Sequence, residues 1–195
     1  MSVSRKNAPT PEHHESHDLI VSNSIPLTTN TGFEFHVRPV EPEDKEALRK
    51  FFANVSKEDL RFRFLSSMPE VSNSILDSMI NVDHEHKEDY IALDIDDKTI
   101  IASAMIGANA DRSEAEVAIV TRSDYKHRGM SWTFLEYVTS AARQSGIKKL
   151  QSIESRQNHE AIELEREMGF TVQSYPGDAT LMLLEFDLTA SNTDA

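Results

Sequence analysis

Phe33, Phe35 and Val37 alternate with polar residues, a period of two that predicts a strand over residues 33–40. Pro42, Glu43 and Asp44 then mark a helix start, because proline suits the first helical position and acidic groups favour the positive end of the helix dipole. Ala47, Leu48, Phe51, Phe52 and Val55 follow at helical spacing and give that helix one apolar face. Ser56 with Lys57, Glu58 and Asp59 reads as the cap and first turn of a second helix carrying Leu60, Phe64 and Leu65. A third short helix is predicted over 73–81, with Ile75, Leu76, Met79 and Ile80 turned inward.

Strands dominate the next stretch. Residues 90–95 and 99–106 are joined by a turn at Asp96 and Asp97, and the turn-rich segment 107–113 leads to a β-prone run at 116–121. After a polar, basic loop, Trp132, Phe134, Leu135, Val138, Ala141 and Ala142 define a helix that Gly146 is placed to stop. A strand at 149–155, a helix at 158–168 ended by Gly169, and strands at 170–174 and 180–188 complete the pattern. The order predicts an α/β fold: a mixed, mostly antiparallel central sheet flanked by helices, with a helical crossover in its second half.

Composition narrows the class. The chain has 195 residues, 38% hydrophobic and 27% charged, which suits one globular domain. Residues 1–31 are rich in Ser, Thr, Asn, His and Pro without periodicity and read as a disordered polar tail; 32–188 form the domain and 189–195 a frayed end. His13, His14 and His17 have no carboxylate scaffold beside them and read as solvated tail residues. There is no cysteine, so disulfides, thiolate zinc sites and a cysteine nucleophile are excluded. The N-terminus has no signal-peptide core, and no run of about 18 apolar residues occurs, so a cytoplasmic location without membrane contact is expected.

The net charge is −13, almost all of it outside residues 1–30. Such a surface repels nucleic acid and anionic membranes, attracts cationic partners such as amines, and also favours solubility. Within it, Arg122, Lys126, His127 and Arg128 stand against Asp124 alone, just before Gly129 and a helix start. That local reversal of sign at a helix N-terminus predicts a site for a phosphate-bearing ligand, although no P-loop or Gly-x-Gly-x-x-Gly is present. Asp83, His84, Glu85 and His86 form a second cluster. The spacing is not that of a zinc helix, so a polar loop before the strand is the favoured reading over weak metal binding, and its acids could border an acceptor site.

Residues 116–131, Glu-Val-Ala-Ile-Val-Thr-Arg-Ser-Asp-Tyr-Lys-His-Arg-Gly-Met-Ser, resemble the central strand and pyrophosphate loop of GNAT acetyltransferases. Asn158, Ala161, Ile162 and the ending Met168, Gly169, Phe170 are similar to that family's Asn-x-x-Ala and Gly-Phe segment. Residues 37–44 (Val-Arg-Pro-Val-Glu-Pro-Glu-Asp) and Arg61, Phe62, Arg63, Phe64 look like the GNAT domain of bacterial protein-lysine acetyltransferases.

The resemblance implies transfer of an acetyl group from acetyl-CoA, as co-substrate and without a metal, to a primary amine or protein lysine. The alternative is a non-catalytic acyl-CoA-binding regulatory module. It implies that backbone groups of Ile119, Val120 and Thr121 pair with the pantetheine arm, as an added strand would. Lys126, His127, Arg128, Gly129, Met130, Ser131 and Trp132 would hold the pyrophosphate, mainly through backbone N–H groups of 128–132, and Asn158 would meet the far end of the pantetheine. Glu116 is the candidate base for the attacking amine, with burial expected to raise its affinity for a proton.

Three positions depart from the family pattern. Lys126 stands where Gln or Arg is usual, and Ser131 replaces a small Gly or Ala. Trp132 follows at once and reads first as a core residue, otherwise as one that crowds or stacks on the cofactor. Glu165 stands where many members carry a tyrosine that protonates the leaving thiolate, so no general acid is assigned. Homodimer formation stays open.

Overall fold

A computed structural model describes residues 24–190. The chain begins with strands β1 (Ile25–Thr28) and β2 (Glu34–Pro39), a 3₁₀ turn at Pro42–Asp44, and helices α1 (Lys45–Ala53), α2 (Lys57–Phe64) and α3 (Asn73–Ile80). It continues through β3 (Lys87–Leu93), β4 (Ile100–Ala108), β5 (Glu114–Thr121), α4 (Met130–Gln144), β6 (Lys149–Ser155), α5 (His159–Glu167), β7 (Thr171–Ser174) and β8 (Leu181–Asp187).

The eight strands form one sheet in the order β1-β2-β3-β4-β5-β6-β8-β7. Every neighbouring pair is antiparallel except β5 and β6, which are parallel and joined by α4. A parallel pair needs a crossover of this length, and α4 supplies it. One side of the sheet buries Phe35, Val37 and Val117 against Phe134, Leu135 and Val138 of α4. On the other, Leu48, Phe51 and Phe52 of α1, Leu60 of α2 and Leu76 and Met79 of α3 enclose Ile91, Leu93 and Val120.

β1 corrects the assignment of the whole 1–31 stretch to a tail. Residues 25–28 pair with 34–37 of β2 in full antiparallel register. Its residues are exposed or half-buried, so the strand is held by backbone hydrogen bonds to β2 and carries no apolar signal. Residues 1–23 and 191–195, with His13, His14 and His17, lie outside the described residues.

α2 is short and weakly amphipathic, and its cap keeps it in place. The Ser56 hydroxyl accepts from the Asp59 amide at 3.0 Å and donates to the Asp59 carboxylate at 2.5 Å. Leu65, expected to belong to this helix, instead ends it in the left-handed region (φ 48°) and is exposed. Ser56→Ala should lower the free energy of unfolding by about 1 kcal/mol, read from urea denaturation.

Candidate active site

The sheet opens where β5 and β6 part. Their parallel pairing covers only Glu114 to Glu116 against Lys149 to Gln151 and then stops. Beyond Glu116 the β6-facing edge of β5 has no strand partner, which is the backbone arrangement an extended ligand can complete. A cavity of about 710 Å³ occupies the gap. It is lined by β5 from Glu116 to Thr121, by Ile153 and Glu154 of β6, and by α2, the start of α4 and α5.

Most of the expected site residues meet here. Glu116, Ile119, Val120, Thr121, Lys126, His127, Gly129, Ser131, Trp132 and Asn158 all line this cavity. Arg128 and Met130 do not. The Met130 side chain is buried in the core, and the Arg128 guanidinium sits 5.2 Å from the Phe33 ring centre and 4.6 Å from that of Tyr125. Trp132 is half-buried on the cavity wall and is not a core residue.

Gly129 explains the loop's shape. It takes φ 77°, a conformation that disfavours any side chain, and no side chain caps the α4 N-terminus below it. The N–H groups of the first turn therefore have no intrahelical acceptor and carry the positive end of the helix dipole. The loop is braced from the other end of the chain: the Thr31 hydroxyl donates to the Arg128 carbonyl at 2.7 Å, and a Cβ on Gly129 would stand 3.4 Å from Thr29 Cβ.

The cations of this loop are not a free patch. Lys126 Nζ lies 2.6 Å from Asp59, brought in from α2, and Arg122 Nε lies 2.8 Å from Asp124. The excess of positive charge read along the loop is thus largely matched in space. What remains for an anion is the amide-rich start of α4, with the Ser131 hydroxyl 3.1 Å from that of Thr121.

On the cavity wall, and behind it on β3, a set of ionisable groups gathers that spacing along the chain did not indicate. Glu116 is exposed to the cavity, contrary to the burial expected of it. Asp89 and Glu165 are the buried acids of this region, and Glu154 is half-buried. Burial pushes the Glu154 carboxyl up to about 7, against opposing hydrogen bonds from Asn158 (2.7 Å) and Ser152 and the charge of Arg63. Burial, reinforced by the charge of Glu154, pushes Glu165 up to about 8. On β3, burial raises Asp89 to about 6, while Lys87 and Arg63 pull it down. Lys87 Nζ lies 3.2 Å from Asp89, near enough to attract it but misaligned for a hydrogen bond. Burial also lowers the Arg63 guanidinium, and Asp89, Glu116 and Glu154 counter it. The signal available in sequence was Glu165 itself, an acid at an inward position of an amphipathic helix.

The Asp83 cluster is a turn. Asp83 accepts from the backbone N–H groups of Glu85, His86 and Lys87, which hold its carboxyl down at about 2. Among the described residues no group of three or more His, Cys, Asp or Glu is placed to hold a metal ion, and no helix is long and apolar enough to cross a membrane.

A forked parallel pair over a helix N-terminus places the molecule in a class, and comparison with known proteins agrees. Residues 49–170 match the profile of the Acetyltransferase (GNAT) family. The chain belongs to that family and is an acetyltransferase by class. It is 26% identical over 149 residues to Acetyltransferase PA5475 from Pseudomonas aeruginosa, covering 75% of this chain and 80% of that protein. The GNAT domain of S. lividans PAT superposes with a TM-score of 0.78 at 24% identity, over 84% of this chain and 96% of that one. yncA from Salmonella typhimurium, solved with its cofactor acetyl-CoA, superposes with a TM-score of 0.65 at 15% identity, over 81% and 96% of the two chains.

Proposed function

We propose that this protein transfers the acetyl group of acetyl-CoA to a primary amine, a protein lysine side chain being the favoured acceptor. The observation that carries the reading is the parting of β5 and β6 directly above the uncapped N-terminus of α4. An extended amide-bearing arm can hydrogen-bond to the free edge of β5 while its pyrophosphate meets the backbone N–H groups of residues 128–132, at the loop end and the start of α4. Asn158, anchored to Glu154, would hold the far part of the arm. The thioester is already an activated acyl donor, so the protein's tasks are to bind it, to admit a neutral amine and to accept the amine's proton.

Glu116 is the base in this reading. It is exposed to the cavity beside the fork, and opposite it on β4 stands Gly107, which leaves room for an acceptor. A lysine acceptor accords with the resemblance to protein-lysine acetyltransferases and with an acidic surface that attracts ammonium groups. The test is single-turnover release of coenzyme A thiol from acetyl-CoA, with small amines and lysine peptides offered in parallel. Release with lysine peptides supports the reading; binding of acetyl-CoA without transfer to any acceptor, itself included, would establish a non-catalytic binding module instead.

The pyrophosphate position makes a prediction in which binding and stability part. Ser131→Glu places a negative charge in the first turn of α4, where it favours the helix dipole by about 0.3–1 kcal/mol but repels a bound anion. Acetyl-CoA affinity should fall by roughly 10- to 100-fold, measured by calorimetry, while the melting temperature holds or rises. A fall in both would point to a folding defect and not to the pyrophosphate site.

A further inference from the structure

Glu154 of β6 and Glu165 of α5 approach the same hydroxyl from two elements. Ser152 Oγ lies 3.0 Å from Glu165 Oε1 and 3.4 Å from Glu154 Oε1. A hydroxyl has one proton and can donate to only one of them; the other contact is favourable only if that carboxyl is itself the donor. Glu165 is 6% exposed, lines the cavity wall, and its Oε2 has no hydrogen-bond partner among the described residues. An ionised oxygen left bare in that position would carry the full cost of desolvation, whereas a protonated one carries far less.

The surrounding charges do not relieve the pair. Arg63 from α2 is the cation that faces it, and that guanidinium is shared with Glu116 of β5 and Asp89 of β3. Lys87 of β3 serves Asp89, and Lys126 beside α4 is taken by Asp59. The remaining cavity groups of α5, His159, Glu160, Glu163 and Glu167, lie at its rim and include three acids. A buried and a half-buried carboxyl, bridged by one hydroxyl and with one divided counter-charge, hold a proton between them at neutral pH.

We propose that the Ser152-bridged Glu154–Glu165 pair is the acid of the reaction, holding one proton and giving it to the departing coenzyme A sulfur. This rests on the acetyl-transfer reading above. Glu154 keeps surface on the cavity and presents the proton; Glu165, behind it, is a positioning residue that keeps the proton on the pair. When the tetrahedral adduct collapses, the C–S bond breaks and its electrons go to sulfur. The carboxyl O–H proton moves onto that sulfur, coenzyme A leaves as the thiol, and the pair is left with both carboxylates ionised. The amine's proton, taken by Glu116, passes to water, and the pair regains a proton from solvent once the thiol has left. The arrangement puts a base and an acid on adjacent strands, β5 and β6, with the cavity between them.

The test combines a titration that needs no substrate with a rate profile that does. Infrared difference spectra of the wild-type protein at pH 7 should show a protonated-carboxyl C=O band that Glu165→Gln weakens, because one of the two carboxyls is gone and Glu154, raised by burial alone, keeps only part of its proton. In turnover, Glu165→Gln and Glu154→Gln should each lower kcat roughly 10- to 100-fold, the low end for acid–base catalysis because a thiolate leaves readily. Wild-type kcat should decline above the pH at which the pair ionises, and Glu165→Gln should move that limb to lower pH by about one unit or more. In Glu165→Gln, which leaves the Glu154–Asn158 contact in place, acetyl-CoA affinity should stay within a factor of about three, well under the ~1.4 kcal/mol of a tenfold change.

Should Glu165→Gln not fold, Ser152→Ala gives a readout of opposite sign. The Ser152 hydroxyl lowers both carboxyls, so its loss should keep the protonated-carboxyl band and move the alkaline limb to higher pH, and an unmoved limb overturns the proposal. A wild-type enzyme that turns over with no protonated-carboxyl band at pH 7 overturns the proposal, as does Glu165→Gln with unchanged kcat and an unmoved alkaline limb. A wild-type protein that shows the band but releases no thiol with any amine removes the acetyl-transfer reading, and the acid role with it, while leaving the shared proton established.

Discussion

Glu116→Gln is expected to lower kcat/KM for amine acetylation by about 10²- to 10⁴-fold while acetyl-CoA binds as before. At neutral pH a lysine or alkylamine is almost wholly protonated, and an ammonium has no lone pair with which to attack a thioester. A carboxylate beside the fork of the sheet can take that proton directly or through a water. Glutamine has the same shape and can hold a water but cannot accept a proton. Glu116 makes no ion pair or side-chain hydrogen bond among the described residues, but it is one of three carboxylates whose charge supports Arg63, so the substitution should lower the melting temperature by a few degrees at most. The loss should shrink as pH is raised and free amine becomes abundant. Stopped-flow thiol release at saturating acetyl-CoA, from pH 7 to 9.5, measures both; full rate at pH 7 would remove Glu116 from the mechanism.

Stability should fall as pH rises from about 5 to 8, opposite to the usual behaviour of a protein held by paired carboxylates. Glu154 and Glu165 hold protons in the folded protein up to about 7 and about 8, against an ordinary value of 4.5. Asp89 holds one to about 6 against 3.8. Between those limits the unfolded chain has already released protons that the folded protein keeps, so raising pH favours unfolding. Each group adds a slope of up to about 1.4 kcal/mol per pH unit across its own window. Exposed carboxylates tied to backbone N–H groups, such as Asp83 at about 2, act in the other direction and destabilise the fold only well below pH 4. A maximum near pH 5 is therefore expected in urea denaturation. Glu165→Gln should flatten the slope between pH 5 and 8, and at pH 8 it should be more stable than wild type, which must then ionise two carboxyls in one pocket. A variant that is less stable at every pH would show that Glu165 is ionised and paired in the fold.

The elements were largely legible because local signals agreed with one another. Apolar residues at helical spacing in α1 and α4, the Ser56 cap of α2 and the strand-prone run of β5 all appear near their expected positions. β1 was not legible. It is an edge strand of Ile-Pro-Leu-Thr with no buried face, and its existence depends on β2 offering a backbone edge. Trp132 was not legible for a related reason: an apolar side chain on a helix reads as core, but there the neighbouring surface is a cavity wall. The loop that borders the cavity was legible through its glycine and its helix start, features that are local. Its charge was misread, since Asp59 neutralises Lys126 from 67 residues away.

By itself, then, the order of residues determined the mixed sheet, the crossover helix α4, the Gly129 loop above an uncapped helix end and the presence of Glu116 beside it. These depend on backbone propensity, capping and period, which act over a few residues. Only the tertiary structure decided that β5 and β6 part after Glu116, that the loop's cations are matched, and that Glu154 and Glu165 converge on Ser152. The physical reason is that burial and charge proximity are properties of groups brought together from α2, β3, β5, β6 and α5. A carboxyl's affinity for its proton is set by those neighbours and not by its place in the chain.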